Sequence, residues 1–251
     1  MTCAKPPQTL LIAQVRSRLS RARRVVAFTG SGPASVAGVP AFSPSGHTLG
    51  GRSSREIATP RPFFEDPCAV WDWYDAQRTP LAAVQPSAAH RALAALEKRI
   101  PVFTLVTENI DGLHRLAGCK NVLELRGNIW VVRCTRCGLR AVNREIPIAN
   151  PPSCPICTGL VRPDIIWQGE HLPEELLVRS FEALSTCEVL LVVGTSSRCQ
   201  PAASFVGVAR KSGAYLVEIA PATAAGDAAI DAPLVGTVED LLPQIVPEQV
   251  A

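Results

Sequence analysis

The sequence predicts an α/β fold: a parallel sheet with helices on both faces, and a small cysteine-rich module set apart from it. Three observations predict this. Short apolar, β-branched runs recur at Val25–Phe28, Val102–Val106, Val189–Val193 and Tyr215–Ile219. Helical patterns such as Ala88–Leu96, Pro173–Leu184 and Ala202–Lys211 alternate with them, as expected of strands joined by helical crossovers. Two Cys-x-x-Cys pairs lie within one stretch, 133–161, that breaks the alternation.

Each element has its own reason. The four runs are apolar throughout, as strands buried on both faces must be. The chain has 251 residues, 47% hydrophobic and 19% charged, which provides a sizeable core and excludes a disordered tail. Leu10, Leu11, Val15 and Leu19 have helical spacing, so the arginines of 16–24 read as the solvated face of a basic helix. With a net charge of only +3, no specific nucleic-acid partner is expected. No apolar run reaches membrane-span length, and Leu10–Ile12 is too short for a signal-peptide core, so the expected location is the cytoplasm. Residues 43–55, rich in Gly, Ser and Arg, read as a mobile loop.

The cysteines carry the strongest local signal. Cys134 and Cys137 are followed, after sixteen residues, by Cys154 and Cys157. Each knuckle presents two thiolates, and two knuckles close a tetrahedral shell around zinc. A shell filled by sulfur leaves no position for water or substrate, so the zinc is expected to be structural.

Two other motifs are ambiguous alone. Gly30-x-Gly32 follows the first strand and fits either a pyrophosphate turn or an ordinary strand–turn–helix corner, since Ser35 stands where a third glycine is usual. Thr107–His114 follows the second strand, where open α/β sheets bind ligands. Asn109 and Asp111 are therefore either ligand contacts or parts of a turn, and His114 is either functional or simply packed.

Taken together, the motifs resemble one family. Thr29–Phe42 (TGSGPASVAGVPAF) is similar to the sirtuin nucleotide loop. Thr107–His114 resembles the family's TQNIDGLH, Glu124–Gly127 its ELHG, Arg162–Glu170 its RPxVVWFGE and Val193–Ser197 its VGTS loop, in matching order from about Val25 to Leu242. The resemblance implies a Rossmann-like NAD-binding domain formed by 1–132 and 162–251, a zinc module at 133–161, and a loop and helical segment at 43–80. It also implies NAD-dependent removal of acyl groups from lysine. In that reaction the acyl oxygen displaces nicotinamide from the ribose, and a histidine base activates a ribose hydroxyl.

By matched position, Asn109 and Asp111 flank the ribose and nicotinamide. Gly30, Ser31, Gly32, Phe42, Gly194, Thr195 and Ser196 hold the phosphates and adenosine, while Ile165, Trp167 and Gly169 line the acyl-substrate cleft. Ala58–Pro60 and the helix through Trp71–Arg78 look like the desuccinylase-like branch, which grips an acyl carboxylate with Tyr-x-x-Arg. By this match Tyr74 and Arg78 are the candidates for substrate binding, but Gln77 holds the third position and Arg78 comes one place later; one residue turns a helical side chain by about 100°, which would carry Arg78 away from the acyl pocket.

The departures fall on ligand-facing positions. The histidine position is Arg126, the loop's Phe-Arg is Phe42-Ser43, its serines are Ala34 and Ala37, its Gln is Glu108, and the Asn after Ile219 is Ala220. A guanidinium does not give up its proton near neutral pH and cannot serve as a base. The expectation is a sirtuin-lineage protein with a remodelled site, acting on an acyl-peptide or small molecule with altered chemistry. A non-catalytic nucleotide- or peptide-binding protein and a residual deacylase, with His114 or His47 as base, remain the alternatives. If buried in the cleft, Arg126 should meet an anion, with Glu108 and Asp111 the internal candidates.

Overall fold

The computed structural model describes residues 6–39, 54–198, 200–221 and 230–246; Phe42, Ser43 and His47 lie outside them. Helix α1 (Gln8–Arg21) leads into β1 (Arg24–Thr29) and the short α2 (Gly32–Val36). Next come α3 (Ser54–Ile57), α4 (Pro60–Glu65), α5 (Pro67–Leu81) and α6 (Ala88–Arg99). The loop expected at 43–55 therefore already ends in helix at Ser54. Strand β2 (Val102–Thr107), α7 (Leu113–Leu116) and β3 (Val122–Glu124) complete the first half. Strands β4 (Gly127–Cys134), β5 (Arg140–Val142) and β6 (Val161–Ile165) belong to the cysteine module. Helix α8 (Glu174–Thr186), β7 (Val189–Val193), α9 (Ala202–Lys211), β8 (Tyr215–Ala220), β9 (Ala232–Val235) and α10 (Val238–Ile245) make the second half.

Six strands form one parallel sheet in the order β3-β2-β1-β7-β8-β9. The chain winds outward from β1 to one edge and then restarts on the other side of β1. Such a reversal opens a crevice at the carboxyl ends of the two central strands. Alternation along the strands supplies both faces. Val25 and Ala27 pack with Leu11, Val15 and Leu19 of α1 and with α6 and α10, whereas Val26 and Phe28 pack with α8 and α9. Phe28 meets Phe205 edge to face at 5.1 Å. Burying each such side chain stabilises the fold by about 1.5–3 kcal/mol.

The apolar stripe of α1 is narrower than its sequence pattern, because Leu10 is 47% exposed. Its arginines are exposed, and Arg18 lies over the Tyr215 ring at 4.9 Å. Among the described residues no helix is long and apolar enough to cross a membrane.

A second core lies under α4, α5 and a three-stranded antiparallel sheet, β5-β4-β6. The outer rung of this sheet pairs Gly127 with Ile165. Helix α5 begins on a cap, with the Asp66 carboxylate accepting from the Ala69 N–H. It then clamps the module: Trp71 Nε1 donates to the Val161 carbonyl, the Asp75 carboxylate accepts from Ile148 N, and Asn150 Nδ2 donates to Asp72.

Candidate functional site

The four cysteines converge. Their sulfurs all lie within 4.8 Å of one another, with Cys134–Cys157 at 3.5 Å and Cys137–Cys154 at 3.6 Å. Sulfurs about 2.3 Å from a tetrahedral zinc stand about 3.8 Å apart, so the set is positioned to bind that metal. The N–H groups of Cys137 and Arg136 point at Cys134 Sγ, an arrangement that favours a thiolate there.

At the sheet reversal the ends of β1 and β7 face each other. Gly30 N donates to the Val193 carbonyl and Gly32 N to that of Gly194. A Cβ on Gly32 would lie 2.4 Å from Gly194 Cα, and one on Gly194, where φ is +63°, would lie 2.5 Å from Gly32 Cα. Two glycines are required here because the loops touch backbone to backbone. Thr195 packs against Gly30, where an added Cβ would come within 2.6 Å. Ser196 Oγ accepts from Arg198 N, and Ser197 N donates to the fully buried Glu218.

Beside this contact, Thr107 Oγ1 accepts from Thr29 Oγ1 at 2.8 Å and from Asn109 N at 3.0 Å. Asn109 Nδ2 is shielded from solvent and has no partner. Asp111 is buried and accepts from Leu113 N at 2.8 Å. Burial pushes its carboxyl up to about 6, with a contribution from Glu124 and against the Leu113 hydrogen bond. Trp130 Nε1 and Ile129 N hold the loop backbone at Asp111 and Ile110.

Arg126 follows β3. Its Nε and Nη2 both donate to Glu108 Oε1, at 3.1 and 2.9 Å. The guanidinium is not buried: its side chain is 47% exposed. The pairing with an anion holds, and Glu108, rather than Asp111, supplies it.

The residues matched to the acyl cleft separate into two groups. Tyr74 is buried, its hydroxyl accepting from Trp167 Nε1 at 2.7 Å, and burial pushes its phenol up. Trp167 in turn lies under the Arg162 guanidinium, 3.4 Å from its ring centre, and Ile165 is buried beside them. Gly169, with φ +88°, borders open space. Arg78 is fully buried and turned elsewhere, donating to Asp75 and to Asn143 and lying 5.2 Å from the Trp130 ring centre. Tyr74 and Arg78 thus engage different partners.

Sequence reasoning passed over Thr29, Thr107, His90 and the Ser197–Glu218 contact. For Thr29, Thr107 and Glu218 the signal was a polar residue inside or ending an apolar strand, visible at Glu218 between Val217 and Ile219; His90, on a helix, offered none.

A model of the Sir2 family matches residues 30–201. The chain belongs to the Sir2 family. Among Sir2 relatives, an NAD-dependent protein deacylase 1 of Pseudomonas aeruginosa is 40% identical over 91% of this chain and 95% of its own. One of Caldanaerobacter subterraneus is 39% identical over 82% and 86%. A crystal structure of a Sir2 homolog–NAD complex superposes with a TM-score of 0.82 at 33% identity, covering 93% of this chain and 92% of that one. A Sir2–p53 peptide–NAD+ structure gives a TM-score of 0.78 at 26% identity, covering 93% and 96%.

Proposed function

We propose that this Sir2 chain binds NAD or a related nucleotide at the sheet reversal and acts on it by altered acyl or ADP-ribosyl transfer, with ordinary lysine deacylation weak or absent. The observation that carries this reading is the Arg126–Glu108 ion pair. Two departures from the family pattern meet in a single contact, Arg for His and Glu for Gln, so one charge answers the other. A guanidinium stays protonated, and losing a general base typically costs about 10²–10⁴ in rate.

In this reading residues 1–132 and 162–251 form the nucleotide domain. Gly30, Ser31, Gly32, Phe42, Gly194, Thr195 and Ser196 hold the phosphates and adenosine. Asn109 presents an unused amide donor toward the ribose and nicotinamide, and Asp111 sits beside it. NAD supplies an electrophilic ribose carbon and a nicotinamide leaving group; Arg126 offers a fixed positive charge there in place of a base. Ile165, Trp167 and Gly169 line the cleft for an acyl-peptide or small acceptor, with Tyr74 behind Trp167. Arg78 braces α5 against the module. Zinc held by Cys134, Cys137, Cys154 and Cys157 in the 133–161 module has a closed shell and supplies structure.

The relatives' shared deacylase name favours a second reading, a working deacylase whose base is another group. Formation of deacylated peptide, followed by mass spectrometry alongside nicotinamide release with NAD and acetylated or succinylated peptides, separates the two. The expected result is little deacylated peptide, rising about 100-fold or more in the Arg126→His/Glu108→Gln double variant. Robust formation of deacylated peptide by the unaltered chain overturns the proposal in favour of the second reading. No release from either protein, and no thermal shift with NAD, points to a binding protein without nucleotide chemistry. A ligand at 100 times its Kd should add about 2.7 kcal/mol.

A further inference from the structure

Two buried histidines outside the reading above share an unusual arrangement. His90, on the first turn of α6, and His114, on α7, have ring centres 4.7 Å apart at 52°. Each has one nitrogen in use and one buried nitrogen without a partner, Nε2 of His90 and Nδ1 of His114.

The partners determine the protons. Ser87 N donates to His90 Nδ1 at 3.2 Å, so that nitrogen is bare and the ring proton sits on Nε2. Ser87 Oγ lies 2.9 Å from the same nitrogen and also hydrogen-bonds the Glu239 carboxylate. On the other side, Thr29 Oγ1 donates to Thr107 Oγ1, whose own proton points to the Thr29 carbonyl. Thr29 Oγ1 must therefore accept from His114 Nε2, 2.9 Å away, which leaves His114 Nδ1 bare. His90 thus carries an unmet donor and its neighbour an unmet acceptor. The opposite tautomer of His114 would set two buried N–H donors against each other, at a cost of about 1–3 kcal/mol for each one unsatisfied.

We propose that His90 and His114 form one polarised relay, joined through a single water between their two unpartnered nitrogens, that fixes the backbone where β1 and β2 end, making both histidines positioning residues for the nucleotide loops. The relay runs from Ser87 through the two rings to Thr29 and Thr107. Thr107 Oγ1 receives Asn109 N, and the Thr29 carbonyl receives Glu108 N, so the relay ends on the backbone of both reactive loops. Burial holds both rings neutral, as the relay requires: His90 is lowered to about 4 and His114 lies well below the usual imidazole range. The charged groups bearing on His90 are Glu239 from α10 and Arg91 on its own helix, and they oppose each other.

The proposal rests on the nucleotide reading for its functional part only, and the test separates the two. Imidazole ¹⁵N NMR of the full chain at neutral pH should show both rings neutral, with the proton on Nε2. An Nδ1–H tautomer or an imidazolium in either ring overturns the relay, and this measurement needs no variant. His114→Phe should shift the amide signals of Asn109 and Gly30 and weaken NAD binding about tenfold. His114→Gln, which can still donate to Thr29, should recover most of both. Phenylalanine and glutamine variants that behave alike would reduce the ring to packing. If the unaltered chain binds no NAD, the nucleotide reading fails, while the tautomers and amide shifts still judge the relay.

Discussion

Burial decides how the individual ionisable residues of this site behave. His90 is held at about 4 and His114 lower still, chiefly by desolvation. In the unfolded chain a histidine titrates near 6.5. Unfolded molecules therefore take up the extra protons first, so stability is complete above pH 6.5 and drains as the pH falls toward 4. Asp111 works in the opposite sense. Its carboxyl is raised from 3.8 to about 6, so the folded form holds a proton in that window and gains stability as the pH falls. Urea midpoints measured from pH 7 to pH 4 should decline, and Asp111→Asn should make the decline steeper. A variant profile parallel to that of the unaltered chain would refute the assignment to Asp111.

Elements meet at two junctions with different tolerances. The β1 and β7 loops touch through Gly32 and Gly194, leaving no room for a methyl group. Gly32→Ala should cost several kcal/mol or force the loops apart, because overpacking against backbone cannot relax by a rotamer change; about 1–3 kcal/mol is usual where it can. Gly169→Ala is the comparison, with strained φ but nothing within 4 Å, and should cost only about 1–2 kcal/mol. Thermal melts of the two variants check the order. The second junction is the metal module on α5. Chelation should melt the three-stranded sheet, since closed zinc sites provide much of a small module's folding energy. The six-stranded sheet has its own cores and should persist. Tryptophan fluorescence should report the change, because Trp71 and Trp130 pack in the module's core, and circular dichroism should retain most of the helix signal.

At the scale of the whole molecule, the parallel sheet was legible because its strands are buried on both faces and read as unbroken apolar runs; Val189–Val193 matches residue for residue. The metal knuckles were legible because ligand spacing is local. What escaped were contacts that cross the fold. The Arg126–Glu108 pair was legible only as one of two candidates, because both were placed by motif resemblance and the choice between Glu108 and Asp111 needed the fold. Nothing near His114 announces a neighbour at His90, since a buried polar chain has no periodicity. The glycines of 30–32 were legible as a tight turn, but not as a surface for Gly194.

The outer rung of the small sheet has a broader meaning. The chain leaves the main body at Gly127 and returns at Ile165, and these two residues are paired. Everything between them enters and leaves at this one rung and rests on α5, through Trp71, Asp72 and Asp75. Ile166 N, on the return, donates to the carbonyl of Arg126, on the departure. A recombination event that exchanged this cassette for a longer or differently shaped one would need to preserve this rung and the surface that meets α5. The face that the metal module turns to solvent could then diverge rapidly, while the Gly30, Gly32 and Gly194 contact at the sheet reversal stayed as it was.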